Sequence, residues 1–188
     1  LRTLTNRAMA TKEYSQYRLR KEFNELNLFA YELRHHVHRL KIKEDVGGGT
    51  IVWESHKEFL VRTETDVADL NYHRTGLDAF AEYGLQFFTT SEQYYLYSEE
   101  RESLDPEDLV CHLLLIEDDS RHRKYALLLV VEAELSDEQI QNAANYYDIE
   151  DQVMSLVEFL RTEGETFSEN TPQWEEFETL ASEYGVEL

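Results

Sequence analysis

The chain has 188 residues, of which 41% are hydrophobic, and this is enough to bury the core of one domain of ordinary size. Only 7 Gly and 2 Pro are present, which excludes collagen-like and low-complexity classes, and a single Cys excludes an internal disulfide. The 39 acidic and 18 basic residues give a net charge of −21, typical of surfaces that stay hydrated in concentrated salt. We therefore expect a cytoplasmic protein of a salt-adapted prokaryote, with an acidic protein of ordinary salt tolerance as the alternative. No apolar run is long enough for a membrane span, so no membrane partner is expected.

Two helices are predicted in the first 40 residues. The first spans residues 11–26, with Thr11 as its N-cap and four apolar residues on one face: Tyr14, Tyr17, Phe23 and Leu26. The second begins at Asn27, and its apolar residues recur every three or four positions as one stripe: Phe29, Leu33, Val37 and Leu40.

A turn and a strand follow the second helix. The turn contains Gly47, Gly48 and Gly49, and the β-branched and aromatic residues at 50–53 favour a strand. This order of elements, two helices and then a hairpin with a Gly-rich turn, resembles the winged helix-turn-helix. The hairpin would be the wing. The resemblance implies a haloarchaeal-type DNA-binding regulator.

Strands and one short helix are predicted in the middle of the chain. The strands lie at residues 58–63, 85–90 and 93–97, and the last two are expected to form a hairpin. The short helix spans residues 77–83 and ends at Gly84.

After residue 98 the pattern is helical. Helix starts are marked by Asp105–Pro106, Ser136 and Thr171–Pro172, and two more helices cover residues 121–132 and 150–161. The helix at 121–132 is apolar on most sides and is expected to be the central one, with a buried strand as the alternative. The predicted fold class is α+β, in three segments: residues 1–55, 56–98 and 99–188.

Charge is distributed unevenly along the chain. Residues 1–45 carry 10 basic and 6 acidic side chains, a net of +4, whereas the remaining residues carry 8 basic and 33 acidic, a net of −25. Such asymmetry predicts an end that faces DNA or a protein partner, and cations in the two N-terminal helices can neutralise phosphates or reach base edges. The candidate nucleic-acid-binding residues are Arg18, Arg20, Lys21, Arg34, His35, His36, His38, Arg39 and Lys41. An ordinary solvated helix face, or a subunit contact in a homodimer, is the alternative.

The histidines also allow a metal interpretation, since Glu32, His35 and His38 can share a helix face. No Cys pair or further His motif completes a zinc site, so no metal is predicted.

The turn Gly47–Thr50, followed by Asp66 and Asp69, resembles the nucleotidyltransferase fold of toxin–antitoxin and abortive-infection proteins. The segment from Leu104 to Leu114 resembles the helix that opens the C-terminal half of those proteins. In that family the Gly-rich turn holds phosphates and an Asp-x-Asp pair holds magnesium. Here two residues separate Asp66 and Asp69, which places them on opposite faces of a strand. The resemblance therefore implies a degenerate, non-catalytic relative without a cofactor.

No catalytic residues are predicted elsewhere. Cys111 and His112 are adjacent on a helix and point about 100° apart, so Cys111 is expected to pack as a small hydrophobe. The basic residues 121–124 are expected to pair with Asp118 and Asp119, with an intermolecular contact as the alternative. The predicted function is a DNA-binding regulator whose acidic domain senses or binds a partner. The alternative is a non-catalytic protein-interaction module, antitoxin-like or degenerate nucleotidyltransferase-like.

Overall fold

The computed structural model describes the chain in six stretches, and for residues 10–13 and 16–19 it describes the backbone alone. The described stretches are residues 10–13, 16–20, 23–67, 71–88, 91–166 and 170–188. The chain divides into two compact units, Leu1–Gly47 and Gly48–Leu188. The division falls in the Gly-rich turn, where Gly47 adopts φ +82°, a conformation that glycine reaches without steric cost.

The N-terminal unit contains a β-hairpin and one long helix. Strand β1 (Ala10–Glu13) pairs antiparallel with β2 (Gln16–Leu19), and helix α1 runs from Asn24 to Asp45. The predicted helix at 11–26 is therefore wrong over residues 11–13 and 16–19. Tyr17 and Leu19 alternate with polar neighbours, a period of two that fits a strand better than the sparse helical spacing did.

The C-terminal unit begins with a four-stranded antiparallel sheet in the order β3-β4-β6-β5. Its strands are β3 (Thr50–Glu54), β4 (Phe59–Thr63), β5 (Tyr72–Thr75) and β6 (Gln93–Tyr97). Three of these strands were predicted, and β5 was not.

The predicted strand at 85–90 is wrong over residues 85–88, which follow a 3-10 helix (Gly76–Tyr83) without joining the sheet. Leu85 is buried, and the ring of Phe87 lies 4.3 Å from that of Tyr125 and 4.9 Å from that of Tyr184. The alternating apolar residues therefore pack against helices, and β6 pairs with β4 and β5 instead.

Helices form the rest of the C-terminal unit, and their capping residues explain where most of them begin. They are α2 (Pro106–Ile116), α3 (Ser120–Glu132), α4 (Asp137–Tyr147), α5 (Glu150–Arg161) and α6 (Trp174–Tyr184). Capping boxes at Asp105 and Ser136 confirm the predicted starts of α2 and α4. Pro106 occupies the first helical position as predicted, whereas Pro172 lies two residues before α6 and outside its first turn.

Helix α3 is at the centre of the core, as predicted. Its residues Ala126–Leu129 are fully buried among side chains of the neighbouring helices. The α+β class is confirmed. The structure groups the chain differently from the three predicted segments, because β3 pairs with β4 across position 55 and residues 79–85 share one core with the helices. Within the ranges described, no helix is both long and apolar enough to cross a membrane.

Candidate functional site

Helix α1 carries an apolar stripe that the structure leaves exposed. The large side chains of this stripe are about half exposed: Leu26 48%, Phe29 62%, Leu33 50%, Val37 52% and Leu40 52%. Such a stripe on an amphipathic helix normally faces a core. The stripe is therefore a candidate interaction site. We call Leu26, Phe29, Ala30, Leu33, Val37 and Leu40 the α1 stripe.

The spacing of the α1 stripe is that of a coiled-coil seam. Positions 26, 30, 33, 37 and 40 are separated by four, three, four and three residues, which is the a/d pattern of a heptad repeat. The face that contains His38 and Ile42 is buried. The first half of the helix, residues 24–33, is exposed on every side, and in the second half the side with heptad spacing remains open to solvent.

The predicted nucleic-acid-binding residues are placed in several different environments. On α1, His36 and Arg39 are exposed, Arg34, His35 and Lys41 are half-buried, and His38 is buried at 7% exposure. Tyr31 contacts two of the half-buried residues: its ring stacks on His35 at 6.3 Å and lies 5.1 Å from the Arg34 guanidinium. Arg20 is exposed, the side chain of Arg18 is not described, and Lys21 lies outside the described residues.

Charged residues lie on both sides of the α1 stripe. On one side, at helical spacing, lie Glu25 and Glu32 in the first half and His36, Arg39 and Lys43 in the second half, all exposed. On the other side lie Arg34 and Lys41, and Lys41 forms an ion pair with Asp45 at 3.0 Å. Glu44 and Asp45 end the helix, so its second half carries charges of both signs.

A cleft in the C-terminal unit is a second candidate site. It has a volume of about 190 Å³ and lies between the 3-10 helix, β6 and the junction of α2 and α3. Acidic and basic groups both line it: Asp78, Glu92, Glu117, Arg121 and His122. None of these was singled out as a functional residue in the sequence, because they come from four separate elements.

At one edge of this cleft, Glu117, Asp119 and His122 place possible metal-ligand atoms within 4.8 Å of one another. Asp119 is the N-cap of α3, and it accepts hydrogen bonds from the His122 backbone N–H and from His122 Nδ1, both at 2.7 Å. Burial acts to raise the pKa of Asp119, but these hydrogen bonds outweigh it and the pKa is lowered. The cluster is thus explained as a helix cap.

The neighbouring Arg123 binds Asp118 through Nη2 at 2.9 Å. Together with the contact between His122 and Asp119, this confirms the predicted pairing for His122 and Arg123. Lys124 instead forms an ion pair with Glu176 at 3.0 Å, and Arg121 donates to the Tyr125 hydroxyl at 3.4 Å.

A buried ionic network joins the β3–β4 turn to two helices. Arg101 donates to Glu58 at 2.9 Å and to Asp108 at 2.6 Å, and the Tyr147 hydroxyl donates to Asp108 at 2.9 Å. Burial lowers the pKa of Arg101, but Tyr147, Asp108 and Glu58 together outweigh it and raise that pKa. Every charge in the network has a partner, so we interpret the network as a structural contact between the turn and the two helices.

His112 lies beside this network in the core. It is fully buried, its Nδ1 lies 2.8 Å from the Thr75 hydroxyl, and its Nε2 has no hydrogen-bond partner among the described residues. Burial, aided by the charge of Arg101, lowers the pKa of His112 to about 3. Cys111 is also fully buried, as predicted, and burial raises the pKa of its thiol. Neither residue has the exposure that a nucleophile or its base requires.

Of the two acidic residues of the nucleotidyltransferase-like pattern, the structure describes Asp66. Asp66 accepts a hydrogen bond from the Tyr95 hydroxyl at 2.8 Å and pairs with Arg74 at 3.4 Å. Asp69 lies outside the described residues. Asp66 is thus held by protein groups.

Comparison with known proteins gives one family match. A family model described as HVO_2833_C, C-terminal, matches residues 69–186, which is more than half of the chain. No curated protein and no solved structure matches. The matched range includes the cleft and most of the ionic network, and it excludes α1, β3 and β4.

Proposed function

The chain belongs to the HVO_2833_C, C-terminal family, and we propose that it is a non-catalytic interaction protein in which α1 binds a protein partner. The observation that carries this proposal is the α1 stripe, with heptad spacing and large side chains that remain about half exposed. Burial of the exposed half of each large side chain would contribute on the order of 1 kcal/mol. The stripe as a whole can therefore support a specific complex.

The C-terminal unit supplies the folded body of the protein in this proposal. It holds the core around α3, and its acidic surface keeps the chain hydrated in concentrated salt. We propose that the protein works in the cytoplasm of a salt-adapted prokaryote, where such a surface is an advantage.

Site-specific photocrosslinking tests the proposal. A benzoylphenylalanine at position 33 should form adducts with a protein in the cells that naturally produce this chain. The same group at Leu188, which is 56% exposed in the C-terminal unit and does not line the cleft, is the matched control and should form none. Mass spectrometry of the adduct identifies the partner. If position 33 gives no protein adduct while the chain is folded, the proposed function is wrong.

A second candidate function is DNA-binding regulation, in which the acidic domain senses or binds a partner. It is favoured by the exposed row of His36, Arg39 and Lys43 on one side of α1, and by the contrast of +4 in residues 1–45 with −25 in the rest. Cations in such a row can neutralise phosphates, and an acidic remainder would be held away from the duplex.

A binding titration tests this second candidate, with the DNA upstream of the protein's own gene. The variant Arg39→Ala/Lys43→Ala should bind at least about ten-fold more weakly than wild type, and the slope of log affinity against log salt should fall by about 2. Lys57→Ala/Arg62→Ala removes two cations from the C-terminal unit and serves as the control. Equal binding by both variants and wild type would rule out α1 as a DNA contact.

A further inference from the structure

We propose that the cleft in the C-terminal unit binds a small organic ammonium ion, in which a positive charge is joined to a short apolar body. The inference goes beyond the proposed function, because it concerns neither the α1 stripe nor its partner. Three observations carry it: the size of the cleft, its apolar and aromatic walls, and the charge of the groups that line it.

The size and the walls of the cleft limit what can bind. Its volume of about 190 Å³ is below the roughly 300–1,000 Å³ of sites for drug-sized ligands, so the ligand has few heavy atoms. Leu77, Leu113, Ile116 and Tyr94 line it. Ile116 and Tyr94 pack against the backbone at Gly76, where an added Cβ would lie 3.3 Å from Ile116 Cδ1 and 3.5 Å from Tyr94 Cδ2. The apolar walls are therefore already assembled from three elements.

Charge selects a cation. Three carboxylates line the cleft, those of Asp78, Glu92 and Glu117, against one guanidinium, that of Arg121. Arg121 is engaged with Tyr125, because its guanidinium lies 5.5 Å from the ring and donates to the hydroxyl at 3.4 Å. An anion would meet an excess of like charge here, whereas a cation meets an excess of opposite charge.

Two of these carboxylates are available to a ligand. Glu92 forms an ion pair with Arg62 at 3.4 Å. By contrast, no hydrogen bond is donated to the carboxylate of Asp78 or of Glu117 by any residue that the structure describes, and Glu117 lies 3.9 Å from His122 Nδ1. Asp78 and Glu117 come from opposite sides of the cleft, so a bound cation can contact both.

Negative charge and the aromatic wall coincide at Tyr94. Burial raises the pKa of the Tyr94 hydroxyl, and the charges of Glu92 and Glu117 raise it further, although Arg62 acts in the opposite direction. An alkylated ammonium group is attracted both to an aromatic ring and to carboxylates beside it. In concentrated salt the carboxylates alone would not select this ion over K⁺, because charge is screened, whereas the apolar contacts are not.

Isothermal titration calorimetry of the purified full chain in 1 M potassium chloride tests the proposal, with choline and n-butylammonium as probes. At least one probe should bind at millimolar concentrations. For choline, the neutral isostere 3,3-dimethylbutanol should bind at least about ten-fold more weakly, because it has the shape without the charge. If neither probe binds, or if the alcohol binds as well as choline does, the proposal is wrong.

Two substitutions on the 3-10 helix form a matched pair for the probe that binds. Asp78→Asn removes a carboxylate from the cleft, whereas Glu82→Gln removes an exposed carboxylate of the same helix that does not line the cleft. Asp78→Asn should weaken binding about five-fold, and Glu82→Gln should leave it unchanged. Tyr94→Leu should weaken binding of the cation more than binding of the alcohol, because it removes the ring and keeps an apolar side chain.

The outcomes at the cleft are separate from the crosslinking result at position 33. Equal losses in Asp78→Asn and Glu82→Gln would show that overall negative charge attracts the probe and would overturn the cleft as its site. An adduct at position 33 without binding of either probe would leave the proposed function standing and this inference wrong.

Discussion

His112 shows how a single buried residue ties the stability of this protein to pH. Its ring is fully buried beside Thr75 and Tyr147, and it remains neutral because burial lowers its pKa to about 3. In the unfolded chain an exposed histidine takes up a proton near its ordinary pKa of about 6.5. Between these two values the unfolded state therefore binds more protons than the folded state, and folding weakens as the pH falls.

We predict that wild type loses about 1.4 kcal/mol of unfolding free energy through His112 when the pH is lowered from about 7.5 to about 5.5. Urea denaturation at the two pH values, at constant salt, measures this loss. His112→Gln should reduce the difference by that amount, whereas His56→Gln, which changes an exposed histidine, should keep the wild-type difference. If His112→Gln and wild type show the same pH dependence, His112 does not act in this way.

At the same scale, the sequence allowed some contacts to be predicted but not others. The pairing of Arg123 with Asp118 was predicted because the two residues are five positions apart at a helix start. The contact between His112 and Thr75 spans 37 positions and depends on β5, a strand that the sequence pattern did not reveal. Local spacing therefore predicts neighbours along the chain, whereas a buried polar contact between distant elements requires the fold.

At the scale of the elements, the ends of helices provide a matched pair of glycines. Gly84 ends the 3-10 helix and Gly164 follows α5, and their φ angles are nearly equal at +82° and +81°. A Cβ at Gly84 would meet nothing within 4 Å, whereas a Cβ at Gly164 would lie 2.7 Å from Cβ of Trp174 on α6. The two sites therefore share a backbone conformation and differ in the space available.

We predict that Gly84→Ala lowers the unfolding free energy by about 1 kcal/mol, because alanine is strained at positive φ. Gly164→Ala should cost about 2 kcal/mol more, because α6 must also move away from α5. Chemical denaturation of both variants measures the difference. Equal losses would show that α6 can shift without cost and that the close contact at Trp174 is not a constraint.

The elements predicted best were helices whose first residues include a capping box or acidic side chains. Helices α2 and α4 begin at the predicted residues, and α5 begins and ends at them, because capping boxes and first-turn acids are local chemistry. The β1–β2 hairpin was missed because aromatic residues at mixed spacing fit a helix face and a strand almost equally well. Four residues of the α1 stripe, Phe29, Leu33, Val37 and Leu40, were predicted as a pattern. Periodicity defines a face, however, and does not show whether the face is covered.

At the scale of the whole molecule, net charge dominates. A charge of −21 on 188 residues repels itself strongly when little salt is present. The screening length falls from about 10 Å at 0.1 M to about 3 Å at 1 M salt, so most of that repulsion disappears over this range.

We predict that the melting temperature rises between these two salt concentrations, as measured by scanning calorimetry in potassium chloride. The variant Glu175→Gln/Glu178→Gln/Glu183→Gln removes three exposed charges from α6 and should melt with a weaker dependence on salt. A wild-type melting temperature that stays constant over the range would contradict a surface adapted to salt.

The position of β4 between β3 and β6 has a practical consequence for any shortened form of this protein. A chain trimmed to the family match would begin at residue 69 and lack β4, and with it Phe59, Leu60 and Val61, which are all fully buried. Strand β6 would then become an edge with unpaired backbone groups, a surface on which other chains add strands and precipitate. The smallest piece expected to express in a dispersed, folded form therefore begins at Gly48, twenty-one residues before the family match starts.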